Sequence, residues 1–398
     1  MPMERSAPRD TSVDSLRGLV MIVMALDHTR DFIHSVASRY LPTDPNHATA
    51  ALFLTRWITH FCLPVFMFTA GVGSQLWLQR NGDRNRLSRF LLTRGLWLIL
   101  LELTVMRLAY NFSFSMKYPF FLLVLWIFGF CMVLMAALVH IPGRFLLPIS
   151  LLMIALSNGL DGLNATTFGR QAWIWHLVRQ PGVFMVGQHP MIVSYPLIPW
   201  LAVMSAGFCF GSVYRWTEAA RKRVALIVGL TSCILFLILR TINRYGDPAP
   251  WRSMGQPLRT VLSFLNCTKY PGSLDFLLMT LGPALLLLSF LMTTRLGARN
   301  PLIVFGRVPL FYFIAHFYFA HLAIVLLEWA RYGSRVWAFA FSPVPAMGGA
   351  ANRFPVDFGF RLWVVYAVWI AIVFLLYPVC RWYGDLKAKY PSSMLRYL

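Results

Sequence analysis

Asp14-Ser-Leu-Arg17-Gly-Leu-Val-Met-Ile-Val-Met-Ala-Leu-Asp27-His28-Thr-Arg30-Asp31 reads as the first membrane helix of a multi-span protein. It carries more ionisable groups than such a helix should tolerate. At about 100° per residue, Arg17 and His28 differ by about 20° around the axis and by roughly 16 Å along it. Asp14 lies three residues before Arg17 and Asp31 three after His28, so both join the same face. Charge inside a span is costly, and this face is expected to turn toward a polar pathway or site. The alternative is that Asp14 and Arg17 snorkel at one interface while His28 and Asp31 mark the other. A cleavable leader, with its apolar core from Gly18 to Leu26 and Ser35-Val36-Ala37 as the cleavage site, is opposed by Asp10 and Asp14 before the core. Asp27, Arg30 and Asp31 between the core and that site oppose it too.

The rest of the chain agrees with a membrane protein. It has 398 residues, 58% of them hydrophobic and 13% charged, with a mean hydropathy of +0.61. Repeated apolar runs long enough to cross a bilayer imply an all-α polytopic protein. The net charge of +21 is spread over short inter-span loops and does not form one basic face, so no nucleic-acid partner is expected. The six cysteines (62, 131, 209, 233, 267, 380) show no C-x-x-C spacing. Only Cys267 falls in an expected aqueous loop, so no disulfide framework is implied. The histidines show no H-E-x-x-H or other metal spacing, and no metal is expected.

About ten spans are predicted, near 13–34, 51–78, 87–109, 119–140, 144–158, 190–214, 223–240, 272–294, 302–329 and 361–380. The fifth is short, holds Pro148 and reads as a candidate re-entrant piece. Gln171 to Phe184 reads as an interfacial amphipathic helix. Arg80, Arg84, Arg86, Arg89 and Arg94, then Arg215, Arg221, Lys222 and Arg223, then Arg381, Lys387, Lys389 and Arg396 fall on the side of the N-terminus. By the positive-inside rule both termini are cytoplasmic, and the long loops at 159–189, 241–271 and 331–360 face outward. Residues 1–398 read as one membrane domain, with a short cytoplasmic segment over 1–12 and a basic tail over 381–398. Gly71, Gly73, Gly207 and Gly211 allow close helix approach.

Further polar groups fall inside the spans. Arg56 and His60 are four residues apart on one face of the second span, with Pro64 one turn on. Their depth matches that of His28, and consecutive spans tend to be neighbours. Asp31, His28, Arg56 and His60 are therefore expected to converge, as a site or as a structural Asp31–Arg56 ion pair with His60 beside it. In the ninth span Arg307 lies toward the cytoplasmic end and His316 deeper. His316 and His321 are about 140° apart and cannot serve one site together. Glu102, Asp275 and Glu328 read as interface pairs with Arg107, Lys269 and Arg331.

An Arg, ten residues, then a His in the first span resembles the transmembrane acyltransferase superfamily. Four further stretches are similar to the bacterial relatives of the heparan-α-glucosaminide N-acetyltransferase catalytic domain. These are Thr55-Arg-Trp-Ile-Thr-His60-Phe-Cys-Leu-Pro64, His189-Pro…Tyr195-Pro-Leu-Ile-Pro-Trp200, Lys269-Tyr-Pro…Leu281-Gly-Pro283 and Asn300-Pro…Phe305-Gly-Arg307-Val-Pro. The resemblance spans nearly the whole chain. It implies acyl transfer from cytoplasmic acyl-CoA, with acetyl-CoA as donor, to an acceptor reached from the other side. The family-weighted acceptor is a sugar or envelope glycan, and the membrane implied is the bacterial inner membrane. The superfamily motif maps onto Arg17 and His28. The resemblance also implies a histidine in the loop after the first span, where this chain has His34 and His47. Transfer to N or to O stays open, as does oligomeric state.

The residues suit that chemistry. Arg17 would meet the phosphate end of the donor. His28 would act as general base, oriented by Asp31 or Asp27. Arg56 or His60 would stabilise the oxyanion, and Arg307 and His316 complete the candidate binding set. A transporter or proton-coupled permease also places Asp, His and Arg within spans. No inverted pair of interrupted helices supports it. A non-catalytic scaffold leaves the Arg17/His28 face unexplained.

Overall fold

Helix α1 (Ser12–Ile33) holds the quoted stretch and sits at the centre of the bundle. The structure is a computed structural model that describes residues 11–35, 40–344 and 353–390. Asp10, Val36, Ala37, Arg396 and Leu398 lie outside the described residues. Asp14 in the first turn and Arg30 in the last complement the helix dipole. Sixteen of the 22 residues of α1 are buried, so its charges meet protein and not lipid. It packs against α2 (Ala50–Thr59), α3 (Cys62–Asn81), α12 (Leu274–Leu291), α13 (Pro301–Arg307), α14 (Pro309–Tyr332) and α15 (Leu362–Lys389).

The second span consists of α2 and α3, separated by a turn at His60–Phe61 whose backbone angles stay helical. Pro64 falls in the first turn of α3, where its missing N–H leaves no helical bond unmade. Next comes α4 (Arg84–Leu101), with Asp83 accepting from the Arg86 N–H at 2.9 Å as N-cap. A π turn over Glu102–Met106 leads into α5 (Arg107–Asn111). The remaining helices are α6 (Val124–Leu138), α7 (Gly143–Leu156), α8 (Ala172–Val178), α9 (Leu197–Phe210), α10 (Glu218–Ile242) and α11 (Pro257–Leu265).

Three short strands depart from the hydropathy reading. β1 (Phe120–Leu122) runs parallel to β3 (His189–Val193), which pairs antiparallel with β2 (Gly182–Val186). The expected spans at 119–140 and 190–214 therefore begin as strand. Pro119, Pro190 and Pro196 bias the residues before them away from helix, and apolar periodicity alone cannot separate such short runs from helix. The expected helix over Gln171 to Phe184 ends at Val178 and gives way to β2. The basic tail from 381 continues as helix to Lys389.

Seven helical stretches among the described residues are long and apolar enough to cross a membrane. The charges on α1 and α4 keep them out of that set, and α6 is apolar but only 15 residues long. Lipid-facing surface is evident where large apolar side chains stay exposed, as at Phe145, Ile149 and Leu152 on α7, Ile234 and Leu237 on α10, and Trp363 and Phe374 on α15.

The bundle has two ends, named here from α1. At the near end, where α1 starts, Gln79 donates to the Gly211 carbonyl at 2.9 Å and Arg84 to the Val139 carbonyl at 3.0 Å. At the far end, His34 bridges Phe360, Asn158 accepts from the Leu274 N–H at 2.8 Å, and Tyr118 and Ser342 hydroxyls lie 2.9 Å apart. Described residues in or beside the three long loops, among them Asn158, Leu274, Ser342 and Phe360, meet at this end.

The expected interface pairs are replaced by other partners. Glu102 accepts from the Tyr110 hydroxyl and from the Leu125 and Trp126 N–H groups. Arg107 instead donates to the Ser115 carbonyl and lies 3.7 Å from the Phe120 ring centroid. Asp275 lies 3.7 Å from Arg240, not beside Lys269. Glu328 accepts from the Gly359 N–H, while Arg331 pairs with Asp357. Helix and loop register brings nearer donors to each carboxylate than sequence neighbours do. Cys267 is buried despite its loop position, and all six cysteines are free.

Close approach is tightest where α1 crosses α13. A Cβ on Gly18 would fall 1.8 Å from the Leu302 carbonyl oxygen, and one on Gly306 would fall 1.8 Å from that of Asp14. Gly71 and Gly207 serve the α3–α9 crossing in the same way. Gly306→Val should therefore cost roughly 1–3 kcal/mol or more by overpacking against backbone. Thermal unfolding in detergent reads this directly. An unchanged midpoint would mean that α1 and α13 are not in this contact in the folded protein.

Candidate functional site

The polar face of α1 divides between two neighbours because successive residues turn by about 100°. Asp27 and Arg30 look toward α2 and the loop before α12. His28 looks toward α14. Asp31 falls between Asp27 and His28 in rotation.

Arg30, only 2% exposed, reaches Asp27 at 2.8 Å and Asp31 at 2.6 Å. Arg56 pairs with the other oxygen of Asp27, and its second nitrogen donates to the Tyr270 hydroxyl at 3.2 Å. The Arg56 partner is thus Asp27 and not the expected Asp31, which Arg30 holds from the same helix. The Tyr270 and Tyr195 hydroxyls lie 3.1 Å apart. Burial pushes the Tyr270 phenol up, but Lys269 and Arg56 beside it outweigh this and bring it below its ordinary value, making a better hydrogen-bond donor.

His28 stacks into an aromatic wall on α14. Its ring centroid is 4.1 Å from Phe317, 5.2 Å from His316 and 6.4 Å from Phe313. Its Nδ1 lies 3.7 Å from Asp31, just outside hydrogen-bond reach, and has no hydrogen-bond partner among the described residues. His316 is fully buried, with Nδ1 at 3.0 Å from the Tyr312 carbonyl. His60 ends α2, its ring centroid 5.4 Å from that of Phe276.

Two cavities approach this cluster. The far cavity, about 640 Å³, is lined by Arg30, Asp31, Arg56, His60, Lys269 and Tyr270, with Tyr40 to Thr43 at its rim. The near cavity, about 200 Å³, is apolar along Met21, Met24, Phe128 and Phe313, with Arg17 and Arg94 as its cations. Arg17 donates to the Thr69 carbonyl at 3.0 Å and lies 3.5 Å from Asp14. A Cβ added at Gly73 would fall 3.3 Å from a guanidinium nitrogen of Arg17, so a larger side chain there would displace it. Phe313 lines the near cavity and also touches His28. His28 lines neither space but lies beside one wall residue of each, Phe313 of the near cavity and Asp31 of the far one.

Arg307 lies elsewhere. It lines a third cavity of about 670 Å³ between α13 and α15, with Arg299, Arg381 and Lys387. That cavity shares no lining residue with the near one, although Val308 lines one and the next residue, Pro309, the other. His321 turns away from His316, as its spacing requires, and stacks on Phe112 at 3.7 Å. Burial, with the positive charge of Arg30, pushes the His34 imidazole down to about 4. His47 is exposed and paired with Asp44 at 2.6 Å. Among the described residues no group of His, Cys, Asp and Glu could hold a metal ion.

Sequence reasoning gave no site role to Arg30, Arg94, Lys269, Tyr195 or Tyr270. Arg30 left a signal, since it stands three residues after Asp27 and next to Asp31. Arg94 reads from sequence as one of the loop cations, although it lies inside α4. Nothing in the local sequence of Tyr195 or Lys269 shows that they meet.

Fold and site together define an integral membrane protein whose central helix carries a buried acid–base cluster that lines a polar cavity. The family model described as heparan-alpha-glucosaminide N-acetyltransferase, catalytic, matches residues 9–239, more than half of the chain, and the chain belongs to that family. Membership makes it an acetyltransferase-type enzyme of the membrane. The match includes Arg17, His28, Arg56 and His60, and ends before Lys269 and His316. A comparison with curated proteins gives no match.

Proposed function

We propose that this protein moves an acetyl group from cytoplasmic acetyl-CoA, entering by the near cavity, to a sugar or glycan acceptor held in the far cavity. The observation that carries this is the position of His28, against Phe313 of the near cavity and 3.7 Å from Asp31 of the far one. Arg17 holds a phosphate oxygen of the donor, and the thin apolar passage takes the pantetheine arm. Arg307 and its neighbours offer further positive charge at the same end of the bundle. As the acceptor O–H or N–H attacks the thioester carbon, His28 takes its proton. Arg56 stabilises the oxyanion, with His60 behind it. The C–S bond then breaks, and the proton on His28 goes to the leaving thiolate. Asp31 and Asp27 orient the imidazole and its surroundings, and His316 packs the ring from α14.

In this reading the near end is cytoplasmic, and the chain makes ten passes through the inner membrane of a bacterium with both termini in the cytoplasm. Reporter fusions after Arg89 and after Leu398 should both report inside. An outside signal at either would overturn the topology.

The direct test is acetyl-CoA itself. Purified protein should bind it and slowly hydrolyse it in the absence of acceptor, the acetyl carbon passing to water. A pure transporter would show neither.

A further inference from the structure

The far cavity presents one more cation than its carboxylates neutralise. Asp27 and Asp31 are taken up by Arg30 and Arg56. Lys269 lines the same cavity and is only 8% exposed. Its ammonium lies over the rings of Tyr270 and Tyr195, 5.3 and 5.9 Å from their centroids. Among the described residues no carboxylate lies within ion-pair distance of it. Asp44, next to Thr43 on the cavity rim, is engaged by His47. Aromatic faces offset part of the cost of burying an ammonium, but a buried charge still calls for an opposite one.

Lys269 is also held in place and is not a mobile surface lysine. Asp247 accepts from the Thr268 N–H at 2.7 Å, the Thr268 hydroxyl at 2.8 Å and the Ser273 hydroxyl at 2.7 Å, clamping both ends of the 268–273 loop. Behind it, buried Arg240 lies 3.9 Å from Asp247 and donates to the Phe264 and Asn266 carbonyls. The loop therefore delivers Lys269 and Tyr270 to the cavity on a built support.

We infer that Lys269 anchors a negatively charged group of the acceptor, so that the acceptor is an acidic sugar bearing a carboxylate or phosphate close to the hydroxyl or amine that takes the acetyl group. This rests on the far cavity being the acceptor side. Tyr270 and Tyr40 give the ring faces on which a sugar packs, and the reacting carbonyl is left to Arg56, which Asp27 and Tyr270 hold in the cavity wall.

The test measures binding without any acyl donor, using glucuronate, glucose 6-phosphate and glucose as probes on the purified protein. At low ionic strength both acidic probes should bind about ten- to hundredfold tighter than glucose, the range of a charge-assisted hydrogen bond. Lys269→Met should erase that preference and Lys269→Arg should keep most of it. If Lys269→Met does not fold, a salt titration of the wild type carries the test, because added salt should collapse the preference. Equal binding of acids and glucose by the wild type, or an unchanged preference in Lys269→Met, would overturn the assignment. Failure of acetyl-CoA binding with the acid preference intact would instead remove the acetyl-transfer reading and leave the anion site standing.

Discussion

His28→Ala should lower acetyl transfer by roughly 10²- to 10⁴-fold, the range for loss of a general base, while acetyl-CoA still binds. The ring lies beside Phe313 of the near cavity and Asp31 of the far one, and its Nδ1 has no hydrogen-bond partner among the described residues. Arg17→Ala should fail differently. It deletes a charge-assisted contact to the donor, worth about 1.5–3 kcal/mol, and should mainly raise the acetyl-CoA Kd. The two positions are roughly 16 Å apart along α1, so neither side chain can take over at the other's end of the donor. A purely structural role predicts another pattern, in which both substitutions lower yield and thermal midpoint together. A folded His28→Ala protein that transfers acetyl at the wild-type rate would sink the mechanism. The base would then have to be His34, which is neutral well above its depressed ionisation, or the exposed His47.

The second large effect concerns stability. Arg30→Met should destabilise the protein by about 3–5 kcal/mol, the usual cost of removing one partner from a buried ion pair. Arg30 is the only cation of the described residues within 4 Å of Asp31, apart from the histidine at 3.7 Å, and it also shares Asp27 with Arg56. Arg30→Lys keeps the charge but not the planar fork that spans two carboxylates, and should fall between the two. Thermal unfolding in detergent measures both variants. A midpoint for Arg30→Met equal to that of the wild type would mean that Asp27 and Asp31 are solvated in the folded protein and the cluster is not closed as described.

Arg30 also shows where sequence reading stops. Its charge and its spacing from Asp27 and Asp31 were legible, but the pairing of Arg56 was not. Helical spacing says that Arg56 and His60 share a face. It does not say how α2 is rotated against α1, and that rotation selects Asp27 over Asp31. For the same reason depth and the family-like stretch around Arg307 place it with Arg17 in the candidate binding set, whereas in the structure it lines a separate cavity between α13 and α15. The strands at 120–122 and 189–193 were hidden because a short apolar run has the same composition in either form.

By itself the sequence determined the membrane class, the helical character, and the spacing that puts Arg17 and His28 on one face of one helix. Those follow from hydropathy and from a fixed helical repeat, which act within a single segment. Only the tertiary structure decided which carboxylate meets which cation, and that Lys269 arrives beside Arg30 and Arg56 from a loop far along the chain. Such contacts depend on the rotation and close approach of whole helices, set at backbone contacts such as Gly18 on Leu302 and Gly306 on Asp14, and no local pattern encodes them.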